Sequence, residues 1–368
     1  MYFNMNKKLN RFIKYIDNID YQLLILISKR AVCATKVSQN QRSKDQKTKT
    51  YNYNYDSETQ ILNNIKQHNK GPLSNKELSI IFKKIVLACL TLEKPSQVAF
   101  LGPEGTFTQQ AVLTYFGKAV KSIPVKDVFR TIEKKKYHYG VVPVENSTEG
   151  IVNNTLDSFI NSKIKICGEI ILSIHHHLLI DKKNKNKKIE KIYSHQQSFS
   201  QCKNWLHNKY PNAKIIAVAS NADASKIIKN ENNSAAIAGD VAASYYSLIK
   251  LAQNIEDRIN NYTRFLILSD KDVAQTGYDK TFLMIYIKNQ IGSFYLLIEP
   301  FYRYNINILR LTTRPAPENK GVWNYIFFFE IKGHRKSKFL EKIIEEISMR
   351  GAEIKILGSY PEQLIKRI

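Results

Sequence analysis

The sequence predicts a multidomain protein with an all-α helical N-terminal module, a two-lobed α/β domain and a C-terminal βαββαβ sandwich of the ferredoxin-like type. Three changes of pattern along the 368 residues support this order. The first 95 residues carry only helical periodicity, and the next segment alternates short apolar runs with helical segments. After Lys280 the pattern is strand, helix, strand, strand, helix, strand. A chain of this length is also too long for one ordinary domain.

The N-terminal module is predicted to be helical because its apolar residues recur at steps of three and four. Over residues 9–27 these steps keep one face apolar for several turns, which predicts a long amphipathic helix. A second apolar periodicity covers residues 78–90. The segment between them is mostly polar, and a helix over residues 56–67 is predicted only from Ile61, Leu62 and Ile65.

The segment after the helical module is predicted to form two α/β lobes. Apolar strands at 98–101 and 139–144 alternate with helical segments at 109–116 and 129–133, which predicts a parallel, doubly wound sheet. A second set of strands and helices covers residues 189–238. We expect the two lobes to face each other across a cleft.

The loop after the strand at 139–144 is the first candidate for a functional site. Glu145, Asn146, Ser147 and Thr148 follow the buried strand and provide a carboxylate, an amide and two hydroxyls. Open α/β sheets bind ligands at the carboxyl ends of their strands. Apolar residues then return at helical spacing, so we expect Ser147 or Thr148 to cap a helix whose N-terminus faces an anion. On this loop alone, a capped connection without a function is an equal alternative.

Three further strand ends carry polar residues suited to binding. Two glycines in residues 102–108 allow backbone amides to approach a ligand beside Thr106. Ser194 leaves a strand just before a predicted helix. Thr263 and Arg264 stand just before an apolar strand, so a hydroxyl and a guanidinium are presented together. Such an arginine would suit a substrate that carries a carboxylate.

Metal, disulfide and membrane functions are not predicted. The four cysteines lack the spacing of a disulfide framework or a zinc site, which fits a reducing, cytoplasmic location. Three consecutive histidines, 175–177, alternate between the faces of a strand and cannot all bind one metal ion. No apolar segment is long enough to indicate export or membrane insertion.

Nucleic-acid binding is not predicted either, although the formal net charge is +24. Clustered lysines and arginines would neutralise phosphates, but here the lysines are spread over every segment. The densest run, residues 181–188, is interpreted as a solvated loop. No basic motif with interleaved aromatic residues occurs.

Four ordered motifs resemble those of prephenate dehydratase. They are GPEGTFT at 102–108, VPVENSTEG at 142–150, YSH followed by QC within 193–202, and NYTRFLIL at 261–268. With the helical module before them and an ACT-like module after them, the chain resembles the bifunctional chorismate mutase/prephenate dehydratase family. The resemblance implies a chorismate mutase-like domain at 1–95, a dehydratase domain at 96–273 and an ACT regulatory domain at 279–368.

This resemblance implies a function and a set of site residues. The reaction would convert prephenate to phenylpyruvate, carbon dioxide and water in phenylalanine biosynthesis, with no cofactor, in a cytoplasmic homodimer. Thr263 matches the family's catalytic threonine, and Asn146, Ser194 and Gln201 fall on other active-site positions. The positions expected to line the prephenate cleft are Thr106, Ser147, Thr148, Arg264 and Phe265.

The helical module departs strongly from the family pattern. Only Arg30 and Glu58 match its chorismate site, and three expected cations are replaced by Ile13, Gln41 and Ser57. Chorismate is a dianion, and the loss of surrounding cations removes an electrostatic contribution that usually dominates catalysis. We therefore expect mutase activity to be lost. A fully bifunctional enzyme, with other cations in place of the missing ones, is the alternative.

The ACT-like module retains part of the family's phenylalanine site. Gly292, Arg314 and Pro315 are kept, whereas bulky Phe294 and Tyr295 replace small residues. We expect phenylalanine to inhibit weakly or not at all. An alternative from another class is a two-lobed amino-acid-binding protein without chemistry, since fold alone does not settle function.

Overall fold

A computed structural model describes residues 2–42, 64–65, 67–90, 97–117, 120–273, 275–316 and 324–362. The chain divides into two compact units, Met1–Ser96 and Gln97–Ile368.

In the described part of the first unit, the helices α1 (Tyr2–Arg42) and α2 (Asn75–Leu90) pack against each other. The predicted helix over 9–27 is confirmed, and α1 extends beyond it at both ends. A capping box begins α2, because the Ser74 hydroxyl and the Glu77 carboxylate each accept a hydrogen bond from the other residue's backbone N–H. The helix predicted over 56–67 lies mostly outside the described residues.

The second unit begins with a lobe built on a mixed sheet. Its strand order is β2-β1-β3-β11-β5, with β4 paired to β3. The elements are β1 (Gln97–Leu101), α3 (Phe107–Phe116), β2 (Lys121–Val125), α4 (Val128–Glu133), β3 (Tyr139–Asn146), β4 (Gly150–Ile151), α5 (Asn153–Asn161), β5 (Lys165–Ser173) and β11 (Tyr262–Ser269). The prediction of a parallel sheet is wrong for part of it. Only β1, β2 and β3 run parallel, because the chain leaves this lobe after β5 and returns as β11, antiparallel to both of its neighbours.

The second lobe is a five-stranded sheet with the order β10-β6-β9-β7-β8. Its elements are β6 (His177–Ile180), β7 (Lys191–Ser194), α6 (Gln196–Gln201), α7 (Lys203–Lys209), β8 (Lys214–Ala217), α8 (Asn221–Ile227), β9 (Ser234–Ala238), α9 (Asp240–Tyr245) and β10 (Ile249–Ala252). Strand β7 pairs in parallel with β8 and β9, whereas β6 pairs antiparallel with β9 and β10. The two connections between the lobes therefore run from β5 to β6 and from β10 to β11.

The C-terminal part has the βαββαβ order that the sequence predicts. It consists of β12 (Asp279–Tyr286), α10 (Ser293–Arg303), β13 (Ile308–Pro315), β14 (Tyr325–Lys332), α11 (Lys338–Met349) and β15 (Glu353–Pro361). The antiparallel sheet has the order β13-β14-β12-β15, and both helices cover one face of it. The other face packs into the core of the first lobe through Phe282, Phe328 and Leu357. A Cβ at Gly358 would lie 2.1 Å from the carbonyl oxygen of Ile166, so β15 approaches β5 at a distance that only glycine allows.

In the described part of the chain, no helix combines the length and apolarity that crossing a bilayer requires.

Candidate active site

The pairing of β3 with β11 decides which side chains meet. Thr263 lies opposite Asn146, and Arg264 lies opposite Glu145. Successive side chains of a strand point to opposite faces of the sheet. The pair Thr263 and Asn146 therefore shares one face, and the pair Arg264 and Glu145 shares the other.

The Asn146 side chain is held by hydrogen bonds on both sides. Its Oδ1 accepts from the backbone N–H groups of Thr148 and Glu149, at 2.9 and 3.1 Å. Its Nδ2 donates to Thr263 Oγ1 at 2.8 Å and to Asn261 Oδ1 at 3.0 Å. The turn after β3 thus orients the amide toward the Thr263 hydroxyl.

Gln201, at the end of α6 in the second lobe, joins this cluster. Its Oε1 accepts from Asn261 Nδ2 at 2.9 Å, and its Nε2 donates to Glu149 Oε1 at 3.3 Å. Burial is the main influence on Glu149 and raises the pKa of that carboxyl. Three of the residues singled out from the sequence, Thr263, Asn146 and Gln201, are therefore linked through one hydrogen-bonded network that spans both lobes.

Three members of the network are not predicted from the sequence: Glu149, Asn261 and His176. His176 Nε2 lies 2.7 Å from Gln201 Oε1, and its ring meets Phe107 edge to face at 5.5 Å between centroids. Burial lowers the pKa of His176, so its ring is neutral near pH 7. Asn261 lies within the NYTRFLIL motif and could have been found there, whereas His176 was considered only as a metal ligand. In the described ranges, no group of three or more His, Cys, Asp or Glu side chains is arranged so that it could hold a metal ion.

The expectation that Ser147 or Thr148 caps a helix is wrong. Strand β4 follows the turn, and α5 starts after Val152 without a side-chain cap. Ser147 instead joins β3 to β11, because its Oγ accepts from the backbone N–H of Tyr262 at 2.9 Å. The Thr148 hydroxyl lies 3.5 Å from Asn261 Oδ1, at the edge of the network.

Three other predicted site residues lie outside this network. Ser194 is fully buried, and its Oγ lies 2.9 Å from both Asn221 Oδ1 and the carbonyl oxygen of Ile237. Thr106 is the N-cap of α3, where its Oγ1 accepts from the backbone N–H of Gln109. Phe265 is 1% exposed and belongs to the core.

The expectation that Arg264 binds a substrate carboxylate is wrong. Its guanidinium lies on the opposite face from Thr263, donating from Nε to Glu169 Oε2 at 2.7 Å and from Nη2 to Glu330 Oε1 at 2.5 Å. Lys280 Nζ lies 2.7 Å from an oxygen of each of these two glutamates. Arg264 is therefore part of a buried ion cluster that joins β11 and β5 to the C-terminal sheet.

The residues expected to remain from the phenylalanine site are spread over the C-terminal part. Gly292, with φ +80°, precedes α10, and Pro315 ends β13. Arg314 donates to both carboxylate oxygens of Asp157 in the first lobe, at 2.7 Å each. Phe294 is half exposed and stacks on Phe327 at 5.6 Å between ring centroids.

The two residues expected from a chorismate site belong to the first unit. Arg30 lies in α1, and its Nη1 is buried with no hydrogen-bond partner among the described residues. Glu58 lies outside the described residues.

Comparison with known proteins decides the family. A prephenate dehydratase family model matches residues 98–273, and a chorismate mutase type II model matches residues 12–94. The bifunctional chorismate mutase/prephenate dehydratase of Pseudomonas aeruginosa is 46% identical over 354 residues, which cover 95% of this chain and 96% of that protein. The chain belongs to the bifunctional chorismate mutase/prephenate dehydratase family. A member from Aquifex aeolicus is 38% identical over 98% of this chain and 99% of that protein.

Solved structures agree with this family assignment. The prephenate dehydratase of Arthrobacter aurescens, solved in complex with L-Phe, is 26% identical with a TM-score of 0.66, over 72% of this chain and 90% of that one. The Staphylococcus aureus prephenate dehydratase is also 26% identical, with a TM-score of 0.58, over 72% of this chain and 99% of that one.

Proposed function

We propose that this chain is a prephenate dehydratase, which converts prephenate to phenylpyruvate, carbon dioxide and water in L-phenylalanine biosynthesis. The observation that carries the proposal is the state of the Thr263 hydroxyl. Its oxygen accepts a hydrogen bond from Asn146, and its own proton has no acceptor among the described residues. The proton is therefore available to a substrate bound at this face of the sheet.

The reaction needs a proton donor at the departing hydroxyl. As the bond from the ring to the carboxylate breaks, its electron pair enters the ring and the hydroxyl leaves from the opposite ring carbon. Carbon dioxide and water are released and the ring becomes aromatic, with one proton consumed overall. A hydrogen bond or proton from Thr263 stabilises the leaving oxygen, and the surrounding amides orient the substrate.

The remaining site residues are proposed in two groups. Thr263, Asn146 and Gln201 contact the reacting groups, and Thr106, Ser147 and Thr148 line the cleft beside them. Ser194 and Phe265 are buried, so we propose that they support the strands and the helix that carry the first group. Arg264 is not proposed to contact the substrate.

The test is direct turnover by the purified full chain. Incubation with prephenate should produce phenylpyruvate, followed by its absorbance in alkali, without any added metal ion or cofactor. A two-lobed amino-acid-binding protein would leave prephenate unchanged apart from its slow spontaneous breakdown. Product formation no faster than in a protein-free control would rule out the proposed function.

The first unit is proposed to hold two copies of the chain together, with little or no mutase activity left. Leu9, Phe12, Ile16 and Leu23 form a stripe along α1 and are each about half exposed. Burial of such a stripe is favourable, at about 25 cal/mol per Å². A second α1 is its proposed partner, which makes the protein a homodimer. The buried Nη1 of Arg30, which has no hydrogen-bond partner among the described residues, suits a retained anion site.

The domain bounds and the C-terminal role are further proposals. We propose domains at 1–95, 96–273 and 279–368, the last being an ACT regulatory domain because its βαββαβ order and packing against the first lobe suit such a role. We also propose a cytoplasmic location, supported by four cysteines that are all unpaired.

A further inference from the structure

The donor and the acceptor of each hydrogen bond around Thr263 can be assigned from neighbouring groups that can only donate or only accept. Backbone N–H groups can only donate, so the Asn146 atom facing Thr148 and Glu149 must be its oxygen. The Asn146 nitrogen therefore faces Thr263 Oγ1 and Asn261, and the facing atom of Asn261 must be its oxygen. Starting from the turn after β3, the side-chain amides of Asn146 and Asn261 each have only one orientation that satisfies their hydrogen-bond partners.

Starting from Glu149, at the other end of the hydrogen-bonded network, gives the same orientations for these amides. The Glu149 carboxylate can only accept while it is ionised, so the Gln201 atom facing it is the nitrogen. The Gln201 oxygen then accepts from Asn261 Nδ2 at 2.9 Å. It also lies 2.7 Å from His176 Nε2, so that nitrogen must carry the ring proton.

His176 is fixed in this role by its surroundings. Its side chain is 1% exposed, and its Nδ1 is buried with no hydrogen-bond partner in the part of the chain that the structure describes. Its backbone N–H donates to Glu256 Oε2 at 2.9 Å, which anchors the connection between β5 and β6. A neutral ring with its proton on Nε2 leaves the lone pair on Nδ1 and satisfies Gln201.

We propose that His176 and Asn261 are positioning residues that keep the Thr263 proton available for the substrate. The proposal rests on the proposed function and extends it. His176 holds the Gln201 oxygen, Gln201 holds the Asn261 amide, and Asn261 holds Asn146 with its nitrogen toward Thr263. If the Asn146 side-chain amide were flipped, its oxygen would face Thr263 and accept the hydroxyl proton. The Thr263 hydroxyl could then no longer donate to the substrate.

Two substitutions of His176 separate hydrogen bonding from packing. His176→Phe keeps a ring against Phe107 but removes the donor, whereas His176→Gln loses the ring and keeps an N–H that can reach Gln201. If positioning is the role, His176→Phe lowers kcat on prephenate by about tenfold or more with KM within about twofold, and His176→Gln stays within about threefold of the unmodified enzyme. If His176→Gln is the more damaged variant, or if both fall equally or neither falls, the proposal is overturned.

A measurement without substrate keeps this test separate from the proposed function. In full-length protein labelled with 15N on histidine, His176 should show a neutral ring protonated at Nε2 at pH 7. A ring protonated at Nδ1 would overturn the hydrogen-bond direction even in an enzyme that turns over prephenate. Failure of the unmodified protein to form phenylpyruvate would instead overturn the proposed function and leave the tautomer result standing.

Discussion

Asn146 determines what the Thr263 hydroxyl can do. Its oxygen is occupied by two backbone N–H groups, so its nitrogen must face Thr263 Oγ1. A hydroxyl that accepts such a bond has its single proton left to donate. The chemistry of this site therefore depends on the direction of one amide as much as on the hydroxyl itself.

Asn146→Asp is predicted to reduce turnover strongly while leaving the fold intact. Aspartate has nearly the same shape and still accepts from the turn, but its second oxygen would face Thr263 and accept the proton meant for the substrate. We expect kcat on prephenate to fall by about 100-fold or more. Steady-state kinetics and a thermal melt would measure this, and a variant with kcat within about threefold of the unmodified enzyme would contradict it.

At the level of single residues, the sequence motifs predicted residues that the structure brings together, but not the directions of their side chains. The motifs identified Thr263, Asn146 and Gln201, which the network links through Asn261. Arg264 was misassigned because neighbouring residues on a strand point to opposite faces, a rule that could have been applied to β11 from the sequence alone. His176 could not be found in this way, since its contact with Gln201 depends on how two lobes approach each other.

At the level of elements, the strands were predicted better than their directions. Strand β2 was missed because its sequence, KSIPV, contains a proline and has no strong apolar alternation. The antiparallel return of β11 depends on the chain crossing to the second lobe and back, which no local pattern records. The βαββαβ order was predicted because each of its elements has a clear period of its own.

The buried ion cluster between β11 and the C-terminal sheet is predicted to contribute strongly to stability. Burial alone would raise the pKa of Glu330, but the cations Arg264 and Lys280 lower it to about 2. Glu330→Gln should therefore lower the free energy of unfolding by about 3–5 kcal/mol, because it leaves buried positive charge unpaired. Asp157→Asn, which breaks the more exposed pair with Arg314, is the control and should cost less than about 1 kcal/mol.

The same cluster predicts a pH dependence. In the folded state the pKa of Glu330 is lowered from its ordinary value of 4.5 to about 2. The ionised carboxylate therefore contributes fully to the free energy of unfolding above about pH 4.5, and this contribution is lost as the pH falls through about 2. Urea denaturation at several pH values would show this loss, and it should be much smaller in Glu330→Gln. If Glu330→Gln and Asp157→Asn lowered the free energy of unfolding equally, the proposed stabilising role of the buried ion cluster would be contradicted.

Helix α10 and strand β13 predict a weak response to phenylalanine. Phe294 stacks on Phe327, and Arg314 is paired with Asp157. The resemblance to the family also implies that Thr312 replaces a glutamate of the phenylalanine site. An amino group buried without a counter-charge is costly to bind. At millimolar phenylalanine, dehydratase activity should therefore stay within about twofold of the activity measured without phenylalanine. Strong inhibition at micromolar phenylalanine would contradict this expectation.

At the level of the whole molecule, the two units are proposed to differ in the catalytic activity that they retain. The dehydratase unit keeps its network, whereas the helical unit retains Arg30 but has Ile13 where a cation is expected. We predict that the full chain forms a dimer in sedimentation experiments and turns over chorismate slowly or not at all. A turnover number for chorismate on the order of 10 per second would show that other cations have replaced the missing ones.

The central claim is that the Thr263 hydroxyl donates to the leaving oxygen of prephenate. The most direct measurement compares kcat on prephenate for Thr263→Ala and Thr263→Ser, with the thermal midpoint of each variant measured beside it. Removing a half-buried hydroxyl opens no large cavity, so both should fold. The account predicts a fall of about 100-fold or more for alanine and recovery of most of the activity by serine, which keeps the donor. An alanine variant with turnover within about twofold of the unmodified enzyme would contradict it.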